Sequence, residues 1–454
     1  MNQTAIFSSE QVPNPNLRFD YALRVQTNQS AFEGFRRWGP YDKNQPRKTT
    51  INCAIVYPSY ARNEARRVRE AFLNGMFFFR GFYTFSRGIR INRFDEFDIN
   101  VKSEQTLGSQ AQVYKLELEK LTQENKWDLV FCVIPHSQRY ILESPYYSSK
   151  LVLSAAGIPC QLLTYEKIRS DDTFKWSLAN VALQIYAKLG NIPWVAEAPD
   201  HPSDLIVGIG KRELREGRFG AVRRYMGFTT AYQNNGAFLS FTGITTNNSS
   251  QTYEEQLATA ISNAINAYKD SRKKQNISVS EPQRIVFHSF KKVGYREIEA
   301  IESGIKSASA GSSLIPYALL RIDDSSNFML FDDDHKTYLP RSRFSVTLGP
   351  LQRLLLTEGR ERYEHRRVGF TNPYIIHLDS RSKIDDENMV DITTSLVEQV
   401  YRLSKVNWRG FNASSTPITL GYSRLIAEVV ASCSPEVWSQ ISSEGNLRDK
   451  AWFL

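Results

Sequence analysis

Cysteine is scarce in this 454-residue chain, and what there is lies scattered. Cys53, Cys132, Cys160 and Cys433 make no CxxC pair, which argues against a disulfide frame and a thiolate metal site and favours buried, reduced thiols in a cytoplasmic protein. The histidines show neither HxxxH nor HxxH spacing, so no zinc motif is present. Long apolar runs are missing too. Leu129 to Ile134 is strand-sized and far short of a bilayer span. The start, MNQTAIFSSEQVPNPN, has no basic segment followed by an apolar one, so no signal peptide is expected. Repeats and low-complexity tracts are lacking as well.

What is present is an ordinary globular composition, 41% hydrophobic and 23% charged, long enough for two or three domains. The formal net charge is +9, with arginine pairs such as Arg36-Arg37 and Arg66-Arg67. A basic balance suits a polyanionic partner; a merely solvated basic surface explains it equally well.

Residues 1–48 are polar and proline-bearing and read as an N-terminal arm packing on the body. From 49 to 195 strand and helix patterns alternate: a strand at 51–57, helices at 60–76 and 107–124, a strand at 128–134, a helix at 146–156, a strand at 159–163 and a helix at 174–189. Such alternation implies a Rossmann-like α/β domain with a parallel sheet. The stretch GNIPWVAEAPDHPSD marks a boundary. In 196–454 the pattern predicts a strand at 205–209, a hairpin about Asn235-Gly236, helices at 254–269 and 296–307, a strand at 284–287 and a second hairpin pairing 317–322 with 326–331. That mixture reads as an α/β domain with a mixed sheet.

The run DLIVGIGKREL (204–214) looks like a strand leaving through a glycine-rich loop. It is not a dinucleotide cradle, because Glu213 stands where a third glycine is required. It is not a Walker loop either, since Gly210-Lys211-Arg212 lacks the Lys-Ser/Thr ending.

Six stretches, in order, resemble the Argonaute family. YYSSK supplies Tyr146 and Lys150, GIPCQ supplies Gln161, and NVALQIYAKLGNIPW supplies Asn180, Gln184 and Lys188; together they resemble the guide-binding MID domain. DLIVGIG, PQRIVFHSFKK and NWRGFNASSTPITLGYSRLIAEV then resemble the RNase H-like PIWI domain. The chain is similar to a short prokaryotic Argonaute of catalytically inactive type. The resemblance implies a guide 5′-phosphate site of Tyr146, Lys150, Gln161, Gln184 and Lys188. Spacing agrees in part, since Tyr146 and Lys150 at i, i+4 share a helix face. Lysines, an amide and a stacking ring are groups a terminal phosphate and its base can use. Gln184 departs from the family's lysine. In related members Mg²⁺ fills that gap, and the resemblance implies Gln161 and the Leu454 carboxylate as its ligands, with the apolar tail KAWFL inserted into the body.

Slicing members hold two metals with acids from several elements. Here the corresponding positions fall on Gly210, Phe290 and Gly421, which carry no metal-binding group. Asp204 is no substitute, being about 20 Å away along a strand at ~3.3 Å per residue. His288 alone does not replace three acids, and FDDDHK (331–336) reads as a solvated turn. The resemblance therefore implies guided binding without cutting. Lys211, Arg218, Lys291 and Lys292 would track the guide–target backbone. The guide would be RNA, the target single-stranded DNA, and the partner an APAZ-containing effector (sirtuin-like, TIR or nuclease) acting in defence against plasmids or phage. Two rivals are a slicing nuclease with displaced acids and a Rossmann-like nucleotide-binding protein unrelated to guides.

Overall fold

A computed structural model describes residues 7–454 apart from 23–25, 125, 137–140, 142, 199–202, 216–221, 246–250, 278–280, 310–313, 361–369, 385–387 and 444, with backbone alone for 212–215 and 222–225. The chain begins with short strands β1 (Ser9–Gln11), β2 (Leu17–Arg18) and β3 (Thr27–Asn28) and helix α1 (Ala31–Trp38). The first α/β unit follows as β4 (Thr50–Pro58), α2 (Arg62–Asn74), α3 (Gly81–Ser86), β5 (Arg90–Ile99), α4 (Leu107–Gln123), β6 (Leu129–Ile134), α5 (Pro145–Ala155), β7 (Cys160–Thr164), α6 (Tyr165–Arg169) and α7 (Asp171–Lys188). Its sheet has the order β5-β4-β6-β7, all parallel. The two-residue period sorts β4 between two cores. Ile51, Cys53, Ile55 and Tyr57 pack against α2 and α7, while Ala54 and Val56 pack against α4 and α5.

After β8 (Val195–Ala196), the second unit runs β9 (Asp204–Arg215), β10 (Val222–Gln233), β11 (Phe238–Thr245), α8 (Tyr253–Lys274), β12 (Arg284–Ser289), α9 (Tyr295–Ala308), β13 (Tyr317–Asp323), β14 (Phe344–Gly349), β15 (Gln352–Leu356) and β16 (Tyr374–Leu378). These build a nine-stranded mixed sheet in the order β1-β14-β15-β16-β13-β12-β9-β10-β11. Leu205, Val207 and Ile209 face α8 and α9; Ile206 faces the helices Met389–Leu403 and Ile418–Ser432. Helix α8 starts where a capping box sets it: Thr252 Oγ1 accepts from the Glu255 N–H at 3.2 Å, and the Glu255 carboxylate accepts from the Thr252 N–H at 2.7 Å.

The fold class is as the sequence implies, parallel α/β followed by mixed α/β, but particular elements differ. The strand from 205 does not leave at Gly208 and Gly210. It continues to Arg215, paired along its length with β10. The glycines are needed because a Cβ at Gly208 would lie 2.6 Å from Thr230 Oγ1, and one at Gly210 would lie 2.2 Å from Phe228 Cζ. The hairpin of 317–322 with 326–331 does not form. β13 is buried and central, parallel to β12 and antiparallel to β16, and Asp323 ends it by accepting from the Ser325 N–H at 2.9 Å. Strand β5 and helix α1 escape the sequence reading. β5 is a charged edge strand whose Asp98 pairs with Arg62 on α2 at 3.2 Å. Within the polar N-terminal stretch, β1 lengthens the large sheet and β2 pairs with β8.

Candidate nucleic-acid interface

Pro145 starts α5 at its first turn, and the helix carries Tyr146 and Lys150 side by side. Lys150 is 5% exposed, and its Nζ donates to the Phe453 carbonyl at 2.9 Å. The same Nζ sits 5.9 Å from the Tyr146 ring centroid. From the last turn of α7, Lys188 Nζ donates to the Cys160 carbonyl at 2.7 Å and to Gln161 Oε1 at 2.9 Å. Gln184, one turn earlier, donates through Nε2 to the Arg409 carbonyl at 2.7 Å. Three helix or strand ends and the C-terminal tail thus converge on one niche. Trp452 and Phe453 are buried, with Phe453 between Phe238 and Tyr422. Leu454 is buried beside them.

Cations crowd this niche. Burial pushes Lys188 down to about 7, the Cys160 thiol pulls it up, and the neighbouring charges of Lys150 and Arg409 lower it further. Two buried amines gathered beside the Arg409 guanidinium suit an incoming anion. For Mg²⁺, the donors on offer are the Gln161 amide oxygen and the terminal carboxylate of Leu454. Both are hard oxygens of the kind that ion takes. Gln161 Oε1 keeps a second lone pair beyond the one given to Lys188, so the chemistry of the donors suits the ion.

A polar cleft of about 420 Å³ lies between α7 and the segment 407–428, lined among others by Asn180, Asn407, Arg409, Asn412, Ser414 and Arg424. Asn180 Oδ1 accepts from the Phe411 N–H at 2.9 Å, fixing one wall to the other. Gly421, in the first turn of the helix Ile418–Ser432, faces this cleft; a Cβ there would make only an ordinary 3.5 Å contact with Thr416. A second, smaller cleft holds Gly210, Lys211, Phe290, Lys291 and Lys292. Lys291 and Lys292 are exposed, and Lys211 pairs with Glu297 at 2.9 Å. Arg218 lies outside the described residues. Phe290 is half-buried, with the Arg424 guanidinium 5.7 Å from its ring centre. His288 is buried, its Nδ1 2.9 Å from Thr419 Oγ1, and burial depresses its pKa to about 3. Asp204 is buried in an ion pair with Arg284 at 2.6 Å. The turn at 331–336 is not wholly solvated, because Asp332 pairs with Arg360 at 2.8 Å. Among the described residues, no group of three or more His, Cys, Asp or Glu side chains could hold a metal ion, and no helix is long and apolar enough to cross a membrane.

Arg409 and the carbonyls of Cys160 and Phe453 are members of the niche that sequence reasoning missed. NWRGFN was noticed as a motif, but nothing in it says that Arg409 faces a lysine more than two hundred residues earlier.

A mixed sheet flanked by helices, joined to a parallel α/β unit across a cationic seam, is the architecture of a Piwi-type RNase H-like protein. The model of the Piwi domain matches residues 129–434, and the chain belongs to that family. It is 23% identical to the protein argonaute of Cereibacter sphaeroides, over 93% of this chain and 56% of that one. It is 26% identical to the Piwi protein of Archaeoglobus fulgidus, over 68% of this chain and 71% of that one. The fold matches Clostridium butyricum Argonaute bound to a guide DNA and a 19-mer target DNA, with TM-score 0.69 and 18% identity, over 99% of this chain and 55% of that one. It also matches A. aeolicus Argonaute, with TM-score 0.62 and 16% identity, over 92% of this chain and 53% of that one. The chain therefore spans little more than half of the first of these relatives and of both solved structures.

Proposed function

We propose that the protein binds the 5′-phosphate of a short guide and uses the guide to recognise complementary nucleic acid without cutting it. The convergence of Lys150, Gln161 and Lys188 with the C-terminal tail in one buried niche carries this reading. Tyr146 offers its ring to the first base, and Gln184 lines the approach. Mg²⁺ bound by Gln161 and the Leu454 carboxylate supplies the positive charge that a lysine at 184 would have given. Lys291 and Lys292 contact the guide–target backbone, so affinity falls with salt and base pairing alone reads sequence. Gly210, Phe290 and Gly421 leave the cleavage centre without acids, and the chain is a binding protein rather than a nuclease.

The family resemblance supports the finer reading: a short MID–PIWI Argonaute with an RNA guide, a single-stranded DNA target and an APAZ-containing effector as heterodimer in prokaryotic defence. The nucleic acid that co-purifies with the protein tests the core of it. Short 5′-phosphorylated strands are expected, and they disappear from the Lys150→Glu/Lys188→Glu variant. Free nucleotide alone would overturn the reading. Guide-directed cleavage of matched DNA in Mn²⁺ would overturn its non-cutting half.

A further inference from the structure

Two aromatic side chains stand out on the first α/β unit. Phe78 is 79% exposed and Trp176 68% exposed, yet their rings lie together, centroids 5.9 Å apart and tilted by 31°. The turn that presents Phe78 is built for the purpose. Met76 and Phe79 exchange backbone hydrogen bonds at 2.8 and 3.0 Å, and Phe77 between them takes the left-handed φ of +56° that side chains rarely adopt. Phe79 is buried and anchors the turn, so Phe77 and Phe78 are held outward at a conformational cost that core packing does not recover. Cations surround the rings. The Arg67 guanidinium lies 5.7 Å from the Phe77 centroid, Lys175 Nζ lies 5.8 Å from that of Trp176, and Arg80 is exposed beside them. Asp171 and Asp172 pair with Arg67 and Lys175.

The position of Trp176 on α7 ties this patch to the niche. Trp176, Asn180, Gln184 and Lys188 follow one another at i, i+4 and form a single winding ridge. Lys188 sits in the niche, Gln184 holds the Arg409 carbonyl, Asn180 lines the cleft, and Trp176 ends the ridge in solvent. From Lys188 to Trp176 is twelve residues, about 18 Å at ~1.5 Å per residue. That is roughly five stacked nucleotides at ~3.4 Å each.

We propose that Trp176 and Phe78 form a base-stacking platform for the guide strand a few nucleotides beyond its anchored end. The inference rests on the reading of the niche as the 5′-phosphate site. Exposed aromatic faces interleaved with cations are what single strands stack on, whatever their sequence.

Binding of 5′-phosphorylated strands by fluorescence anisotropy tests it, with a trinucleotide too short to reach the patch and a strand of about a dozen nucleotides that spans it. Trp176→Ala and Phe78→Ala, both at the surface, should keep the wild-type melting temperature. Each is expected to weaken the longer strand roughly tenfold, the loss of about one stacked base, and to leave the trinucleotide unchanged. Unchanged affinity for the longer strand, or equal weakening of both, would overturn the platform. A shift in self-association with strand binding intact would also overturn it, by assigning the patch to protein contact. Removing the 5′-phosphate separates the two failures: if wild-type binding ignores the phosphate, the niche reading falls, whatever the platform does.

Discussion

Lys188 is the residue on which the niche turns, and its burial gives guide binding a pH dependence whose sign is fixed. Its folded pKa of about 7 is far below the ordinary lysine value, because burial disfavours the charge. In the empty protein this burial is costly below pH 7, where an unfolded lysine would carry its proton freely. The cost is full below the folded value and fades between it and the ordinary lysine value of ~10.4, where the unfolded lysine also loses its proton. A bound phosphate dianion reverses the preference by favouring the ammonium form. Binding above pH 7 must therefore take up a proton, and affinity should fall between pH 7 and 9 by up to about tenfold per unit. Lys188→Gln should bind more weakly at neutral pH and lose that alkaline limb. Titrating affinity against pH at fixed ionic strength, with calorimetry in two buffers of different ionisation heat, checks both statements. A wild-type profile flat from pH 7 to 9 would show that the phosphate does not meet Lys188.

Strand β9 shows what an element can reveal and conceal. The sequence gives Gly210 no side chain, and the structure adds that its space is filled. The Phe228 ring from β10 lies across it, at the register position directly opposite. Gly210→Asp should then destabilise the protein by about 1–3 kcal/mol, as overpacked cores do. Gly210→Asp combined with Phe228→Ala should regain the clash component while paying for the lost ring. Neither is expected to cut DNA in Mn²⁺, since Phe290 still fills a second position. Thermal melts and a cleavage assay decide; a Gly210→Asp protein that melts like wild type would show that the ring does not hold that space. Apolar periodicity made β4, β6, α4 and α7 legible, because buried elements must repeat at two or 3.6 residues. β5 was hidden since an edge strand needs only one apolar face, and Arg90–Ile99 spends its outer face on ion pairs. The stretch from Ser326 to Phe331 misled for the opposite reason: Phe328, Met329 and Phe331 are apolar but exposed, so their pattern reports no burial. The niche was legible as a motif in Tyr146, Lys150, Gln161, Gln184 and Lys188. Arg409 and the Phe453 carbonyl were not, because contacts so distant in sequence leave no local period.

At the scale of the whole molecule, the niche lies in the seam that joins the two sheets. Trp194 and Trp408, both fully buried, sew that seam. Trp408 Nε1 donates to the Trp194 carbonyl at 3.1 Å, and Trp194 Nε1 donates to the Lys405 carbonyl at 3.1 Å. Trp408 adjoins Arg409, whose carbonyl holds Gln184, and Phe411, whose N–H meets Asn180. A ligand gripped by Lys150 and Lys188 on one side and by the tail on the other must therefore hold the seam closed. Saturating 5′-phosphorylated guide should raise the melting temperature in proportion to the logarithm of its concentration over Kd. Trp408→Ala should cost about 3–5 kcal/mol, the usual loss for a buried tryptophan, and should also weaken guide binding by loosening Arg409 beside it. Phe287→Ala is the control: that ring is equally buried but packs against Tyr317 and the helices α8 and α9, in a cluster drawn from the second unit. It should lose similar stability while the folded fraction keeps its affinity. If the two variants weaken guide binding alike, the seam has no special part in holding the guide, and the niche works as a local site on α5 and α7 alone.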